Sequence, residues 1–153
     1  MTLTNNTVGG QPVSLDNLKA VRYITNKYSL PLIIDSSRFA ENTYFIKSCE
    51  RGYEDFTYRQ IAQEIFSLAD VIVMSPKKDG LVNTGGFLCV RGKYLADKCQ
   101  EILIITEGFT TYGGLAGRDL NAIAAGLNEV FEEDYLRYWV RSVEYLCEEL
   151  KNK

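Results

Sequence analysis

Two short apolar runs, each breaking off into polar residues, constrain the fold of this chain more than any other feature. Leu30-Pro31-Leu32-Ile33-Ile34 stops at Asp35, and Ala69-Asp70-Val71-Ile72-Val73-Met74 opens into Ser75-Pro76-Lys77-Lys78-Asp79-Gly80. Runs this short and this β-branched read as buried strands, and a continuous apolar strand suits a parallel sheet covered by helices on both sides. Helical patterns lie between and after them. Ser14 stands where a helix N-cap belongs, ahead of Leu15, Leu18, Val21 and Ile24 on one face. Arg38 to Glu50 reads as partly helical, and Thr57-Tyr58-Arg59-Gln60 has the form of a capping box leading into Ile61, Ile65 and Leu68. Another strand is expected over Gly85–Val90. A helix from about Gly92 leads to Ile102-Leu103-Ile104-Ile105, whose state periodicity leaves open. Two helices follow the loop Glu107–Gly114, one carrying Leu120, Ile123, Leu127 and Val130, the other Leu136, Trp139, Val143, Leu146 and Leu150. Thr2 to Asn6 is a β-prone segment entering a turn-rich loop that ends at Pro12. Strands alternating with helices predict an α/β domain with a mostly parallel sheet.

Composition narrows the function classes. The 153 residues suffice for one domain with a substantial core, and 46% hydrophobic with 24% charged residues is a globular balance. A net charge of −3 and a pI near 5.1 argue against a general nucleic-acid binder. No apolar stretch is long enough to span a bilayer, and Met1–Asn6 lacks the pattern of a signal peptide, so a cytoplasmic protein is expected. The four cysteines are widely spaced without a Cys-x-x-Cys pair, which points to free thiols. Histidine is absent. Serine–histidine and cysteine–histidine catalysis are thereby excluded within the chain, and proton transfer falls to lysine, tyrosine, a carboxylate or a cofactor.

In parallel sheets the carboxyl ends of the strands line the ligand crevice. Asp35 and Ser75–Lys78 both stand at such ends and are expected to meet in one cleft. A salt bridge across the sheet edge beside a solvated turn would account for them. So would pyridoxal phosphate (PLP), which takes a lysine as its Schiff-base partner and an acid against its pyridine nitrogen. Arg38 would then reach the cofactor's phenolic oxygen, and Ser75 and Lys77 its phosphate. The paired cations Lys77 and Lys78 would favour a neutral amine on the reacting lysine. Residue types alone leave both readings open.

Longer segments go further. Thr4-Asn5-Asn6-Thr7-Val8-Gly9-Gly10-Gln11-Pro12-Val13-Ser14, Asp35-Ser36-Ser37-Arg38-Phe39-Ala40-Glu41-Asn42, Ser75-Pro76-Lys77-Lys78-Asp79 and Glu107-Gly108-Phe109-Thr110-Thr111-Tyr112-Gly113-Gly114-Leu115 together resemble the β-eliminating lyases, the tryptophanases and tyrosine phenol-lyases. The resemblance runs over essentially the whole chain, in order and at matching spacing. It implies the aspartate-aminotransferase-like PLP fold (fold type I), of which residues 1–153 would be a single, incomplete segment of the large domain. It implies Lys78 as Schiff-base residue and base at Cα, and Asp35 against the pyridine nitrogen. Asn6 and Arg38 would lie on the phenolic oxygen, and Ser75 and Lys77 on the phosphate. Asn83 would help hold an activating potassium ion, and Tyr112 would lie near the reacting centre. The family reaction is β-elimination of an aromatic amino acid to pyruvate and ammonia, in a homo-oligomer, a tetramer at full length.

Family members are much longer. The phosphate-cradling loop upstream and the small domain downstream, with its carboxylate-gripping arginine, are expected to lie outside this stretch. Two readings follow: a piece of a lyase that works with those parts, or a non-catalytic truncated remnant that at most binds PLP or a partner chain. Thr4–Thr7, Phe39–Asn42 and Phe109 look like tryptophanases, whereas Leu81–Cys89 and Leu115–Asp119 look at least as much like tyrosine phenol-lyases. Tryptophan is the favoured substrate. The stripe Tyr135, Tyr138, Trp139 and Tyr145 is expected to be helix packing, and Glu132-Glu133-Asp134 a helix start favoured by the helix dipole.

Overall fold

The computed structural model describes residues 1–152. Six helices and three strands are found among them: α1 (Leu15–Lys27), β1 (Ile33–Asp35), α2 (Phe39–Cys49), α3 (Tyr58–Ser67), β2 (Val71–Met74), β3 (Phe87–Val90), α4 (Lys93–Thr106), α5 (Gly117–Glu129) and α6 (Glu133–Lys151). The caps read from sequence form. Ser14 accepts the Asn17 amide at the start of α1, and Thr57 and Gln60 close a reciprocal capping box on α3. Ile102–Ile105 is helical, in the last turns of α4.

The α/β class is as expected, but the sheet is mixed. In the order β1-β2-β3, β1 and β2 are parallel with Ile33 opposite Val71 and Asp35 opposite Val73. β2 and β3 are antiparallel, with Met74 opposite Phe87. The reason lies in residues 75–86, which contain no crossover helix, so the chain turns back beside β2. Thr2 adds a single parallel bridge to Asp35, which brings the N-terminal segment to the same strand end.

Helices cover one face of this sheet closely and leave the other open, against the expectation of cover on both. Ile34 and Met74 enter the core with Leu3, Leu15, Leu18, Ile46, Ile61 and Ile65. On the opposite face Ile33, Val73 and Leu88 are 47%, 40% and 46% exposed. Each fully buried Leu or Ile contributes roughly 1.5–3 kcal/mol relative to exposure. A polar clasp closes the far end of the strands. The Arg22 guanidinium pairs with both carboxylate oxygens of Asp70, whose Oδ2 also accepts the Leu32 amide at 2.8 Å. These bonds hold the Asp70 carboxyl below the usual carboxylate range, the Arg22 hydrogen bonds most of all.

Candidate active site

The two strand ends are joined through Ser37, but Asp35 and Ser75 do not share the cavity that Lys77 and Lys78 line. Ser37 donates both its amide (3.0 Å) and its hydroxyl (2.7 Å) to Asp35 Oδ1. Its hydroxyl oxygen accepts the Ser75 amide at 3.1 Å, and its carbonyl accepts the Asp79 amide at 3.3 Å. Ser36 ties the same turn to β2, because its amide and hydroxyl both donate to Val73 O. Asp35 Oδ2 keeps no protein donor among the described residues. Ser75 Oγ is buried and has no hydrogen-bond partner there either. Buried hydroxyls are nearly always satisfied, so such an orphan marks a position that a ligand can complete.

The lysine turn itself is tightly built. Leu81 N donates to Lys78 O at 3.1 Å, and Leu81 takes a left-handed φ of 56°, which is costly for a residue with a Cβ. Gly80 lies against Pro76, where a Cβ would come within 2.5 Å of the proline side chain. Behind the turn, Gly126 of α5 approaches so closely that a Cβ there would stand 1.9 Å from Gly80 O. Lys77 and Lys78 are both exposed on this support.

Asp79 points inward from the same turn and is 7% exposed. Its Oδ2 accepts the Ala40 amide at 2.6 Å in the first turn of α2. Arg38, the N-cap of that helix, supplies no side-chain cap bond, so the carboxyl from the lysine turn meets the helix's positive end instead. Burial pushes the Asp79 carboxyl up to about 7, although the Ala40 amide pulls the other way.

Two adjoining cavities open over this framework. One, of about 330 Å³, is lined by Arg38, Glu41, Lys77, Lys78 and Asp79 with Tyr135 and Trp139. The other, of about 400 Å³, is lined by Thr4, Asn6, Gly9, Gly10, Arg38 and Glu41, with Trp139 and Val143 among its apolar walls. Both lie at the low end of the size of small-molecule sites. Arg38, Glu41 and Trp139 belong to both. Asn6 sits in a 3-10 turn (Asn6–Val8) that Asn5 caps by accepting the Thr7 amide. Asn42 anchors the following loop, accepting from Val13 N at 2.8 Å and donating to Val13 O at 2.9 Å.

Asn6, Arg38, Lys77 and Lys78 thus line the two adjoining cavities, whereas Asp35 and Ser75 line neither and are joined to each other through Ser37. The other two candidates lie elsewhere. Tyr112 is exposed, stacks on Phe109 at 5.1 Å, and lines neither cavity. Asn83 lines a separate cleft with Leu81, Val82, Thr84, Asp119 and Ala122. Among the described residues no group of three or more His, Cys, Asp or Glu side chains could hold a metal ion. Of the aromatic stripe of α6, Tyr135 packs against the core as expected and the other three residues do not. Tyr138, Trp139 and Tyr145 are exposed, while Leu136 and Val140 carry the buried seam. Trp139 instead donates its indole N–H to Glu41 at 3.1 Å at the cavity wall. Ser37, Glu41, Asp79 and Trp139 were not singled out from sequence, since serines, carboxylates and a helical aromatic have ordinary structural uses. Only the position of Asp79 beside Lys78 was a signal.

The comparisons with known proteins agree over the full length. The profile of the family described as "Beta-eliminating lyase" matches residues 1–153. A tryptophanase from Salinibacter ruber is 54% identical over 150 residues, covering 98% of this chain and 32% of the relative. A tyrosine phenol-lyase from Fusobacterium nucleatum is 48% identical over 151 residues, covering 99% of this chain and 33% of the relative. The chain therefore spans about a third of the length of these curated relatives. A crystal structure from Exiguobacterium sp. 255-15, assigned by its name to the aromatic amino acid beta-eliminating lyase/threonine aldolase group, superposes with a TM-score of 0.59. It shares 19% identity and covers 84% of this chain and 32% of that one, a likeness that bears on fold alone. The resemblance read from the motifs and the match over every residue lead to one conclusion: this chain belongs to the beta-eliminating lyase family.

Proposed function

We propose that residues 1–153 form the lysine-bearing segment of the large domain of a PLP-dependent lyase that eliminates the β-substituent of an aromatic amino acid, yielding pyruvate and ammonia. The observation that carries this reading is the junction of strand ends at Ser37. It sets a carboxylate with an uncommitted oxygen, Asp35, beside a buried unpartnered hydroxyl, Ser75, at the foot of a two-lysine turn. That donor set fits the group: an acid for a ring nitrogen, and a hydroxyl and a cation for a phosphate.

PLP, when bound, supplies an electron sink for the charge left at Cα. In this reading the chain's own residues do the rest. Lys78 Nζ would hold the cofactor and, once displaced by the substrate's amino group, would be the free amine that takes the proton from Cα. Asp35 holds the pyridine nitrogen protonated. Arg38 and Asn6 would donate to the phenolic oxygen, and Ser75 and Lys77 would engage the phosphate. Asn83 would help hold a potassium ion, and Tyr112 would serve near the reacting centre. Tryptophan is the substrate we favour, on the tryptophanase-like segments Thr4–Thr7, Phe39–Asn42 and Phe109; overall identity does not separate the two, since the tyrosine phenol-lyase at 48% falls between tryptophanases at 54% and 45%. The working assembly is a cytoplasmic homotetramer in which the remaining two thirds of the relatives' length has its counterpart. Among the described residues no helix is long and apolar enough to cross a membrane.

Borohydride trapping tests the reading. The purified chain is incubated with PLP, reduced, and digested for mass spectrometry. A dominant adduct on Lys78 that disappears in Lys78→Ala is expected, with no pyruvate formed from tryptophan or tyrosine. Adducts spread evenly over exposed lysines would overturn the cofactor assignment, and pyruvate from the chain alone would overturn its being one segment of the working site.

A further inference from the structure

Asp79 is the one charged side chain buried in the candidate site, and no step above uses it. It follows Lys78 directly, and its two hydrogen bonds land on either side of Arg38: its amide donates to Ser37 O, and Oδ2 accepts from Ala40 N. Asp35, bonded to Ser37, completes the same turn. The first turn of α2 has no side-chain cap of its own and takes this carboxyl as its acceptor.

We propose that Asp79 is a positioning residue for Lys78: it clamps the lysine turn to the start of α2, so that Lys78, Arg38 and Asp35 share one fixed geometry before any ligand arrives. The consequence for chemistry rests on Lys78 being the cofactor lysine; the clamp itself does not. The groups facing Asp79 are Arg38 at the N-cap of α2, Glu41 within that helix, Tyr135 from α6, and Lys77 and Lys78 around the same cavity. The carboxyl binds its proton more tightly when clamped than when open to water, because burial disfavours the anion. Opening the clamp therefore becomes easier as pH rises from the ordinary 3.8 towards about 7, by up to roughly tenfold per pH unit.

Amide hydrogen exchange on the chain without PLP, expressed as protection factors corrected for intrinsic rates, reads the clamp directly. Asp79→Ala is expected to lower protection of the Ala40 amide by about tenfold or more while the amides of α3 stay unchanged. Asp79→Asn keeps an acceptor of the same shape and is expected to hold protection near the unsubstituted level at pH 5. It should also abolish the fall in protection between pH 5 and 7. Unchanged Ala40 protection in a folded Asp79→Ala chain would overturn the clamp. Should that variant fail to fold, an Asp79→Asn chain with the original pH dependence would overturn it equally. Borohydride trapping with PLP reads the positioning: adducts should divide between Lys77 and Lys78 in Asp79→Ala and return to Lys78 in Asp79→Asn. Loss of protection with trapping still confined to Lys78 would leave Asp79 a structural residue and sink the proposal. Failure of the unsubstituted chain to trap on Lys78 would count against the proposed function instead, with exchange still deciding the clamp.

Discussion

Ile34 and Ile105 end two runs that look alike in sequence, yet one is wholly buried and the other is 85% exposed. The segment from Leu3 to Met74 supplies nearly all of the core, whereas α4 has no buried residue and Leu88 of β3 lies open beside it. The difference is one of neighbours. β1 is backed by helices on either side of it in sequence, while β3 and α4 fold as a strand and helix with little packed on their outer faces. An apolar run thus fixes what a segment would bury, and its surroundings in the fold decide whether it does. The lysine turn lies at the border, rooted in the packed region through Ser37 and Asp79 and leaving it towards β3.

Paired truncations give the sharpest contrast. Leu18→Ala removes a wholly buried side chain and should cost about 2–5 kcal/mol in denaturant unfolding, with most of that loss absent from Ile105→Ala, expected within about 0.5 kcal/mol. Equal costs would break the distinction between a packed and an open region. Next in size is Gly126→Ala, whose methyl would meet the Gly80 carbonyl. Backbone cannot rotate aside as a side chain can, so about 1–3 kcal/mol is expected, together with faster proteolysis between Ser75 and Gly86. A silent substitution would mean that α5 does not press on the turn.

The smallest effect concerns Asp70 at the opposite end of the strands. The partly exposed Arg22–Asp70 clasp should be worth about 1–2 kcal/mol, read as the loss in Asp70→Asn at pH 7. Since the folded carboxyl is held below its ordinary 3.8, that contribution is present above this value and is lost as pH falls through the lowered one. Asp79 has the opposite sign: its folded value near 7 favours stability at low pH, and that benefit is lost as pH rises from 3.8 to about 7. A stability profile that climbs steadily from pH 4 to 7 would contradict the second assignment.

The strands, the caps at Ser14 and Thr57, and the proximity of the strand ends at Asp35 and Ser75 were legible in the sequence because each rests on local chemistry: β-branching, a hydroxyl at a helix start, a polar residue ending an apolar run. The antiparallel return of β3 was not, since it depends on what residues 75–86 fail to build. Nor was the role of Ser37, where one hydroxyl donates to Asp35 while accepting from Ser75, 38 residues further on. Trp139 was hidden by its own helix. Its periodicity matches the buried seam, and only the Glu41 carboxylate draws it to the cavity wall.

The contact of Gly80 with Gly126 has a mechanical consequence. Where side chains separate two elements, rotamer changes absorb small displacements before the neighbour feels them. Here main chain rests on main chain, so the seat of α5 sets the height of the lysine turn without slack. The backbone two residues after Lys78 therefore takes its position from Gly126 of α5, more than forty residues further along the chain.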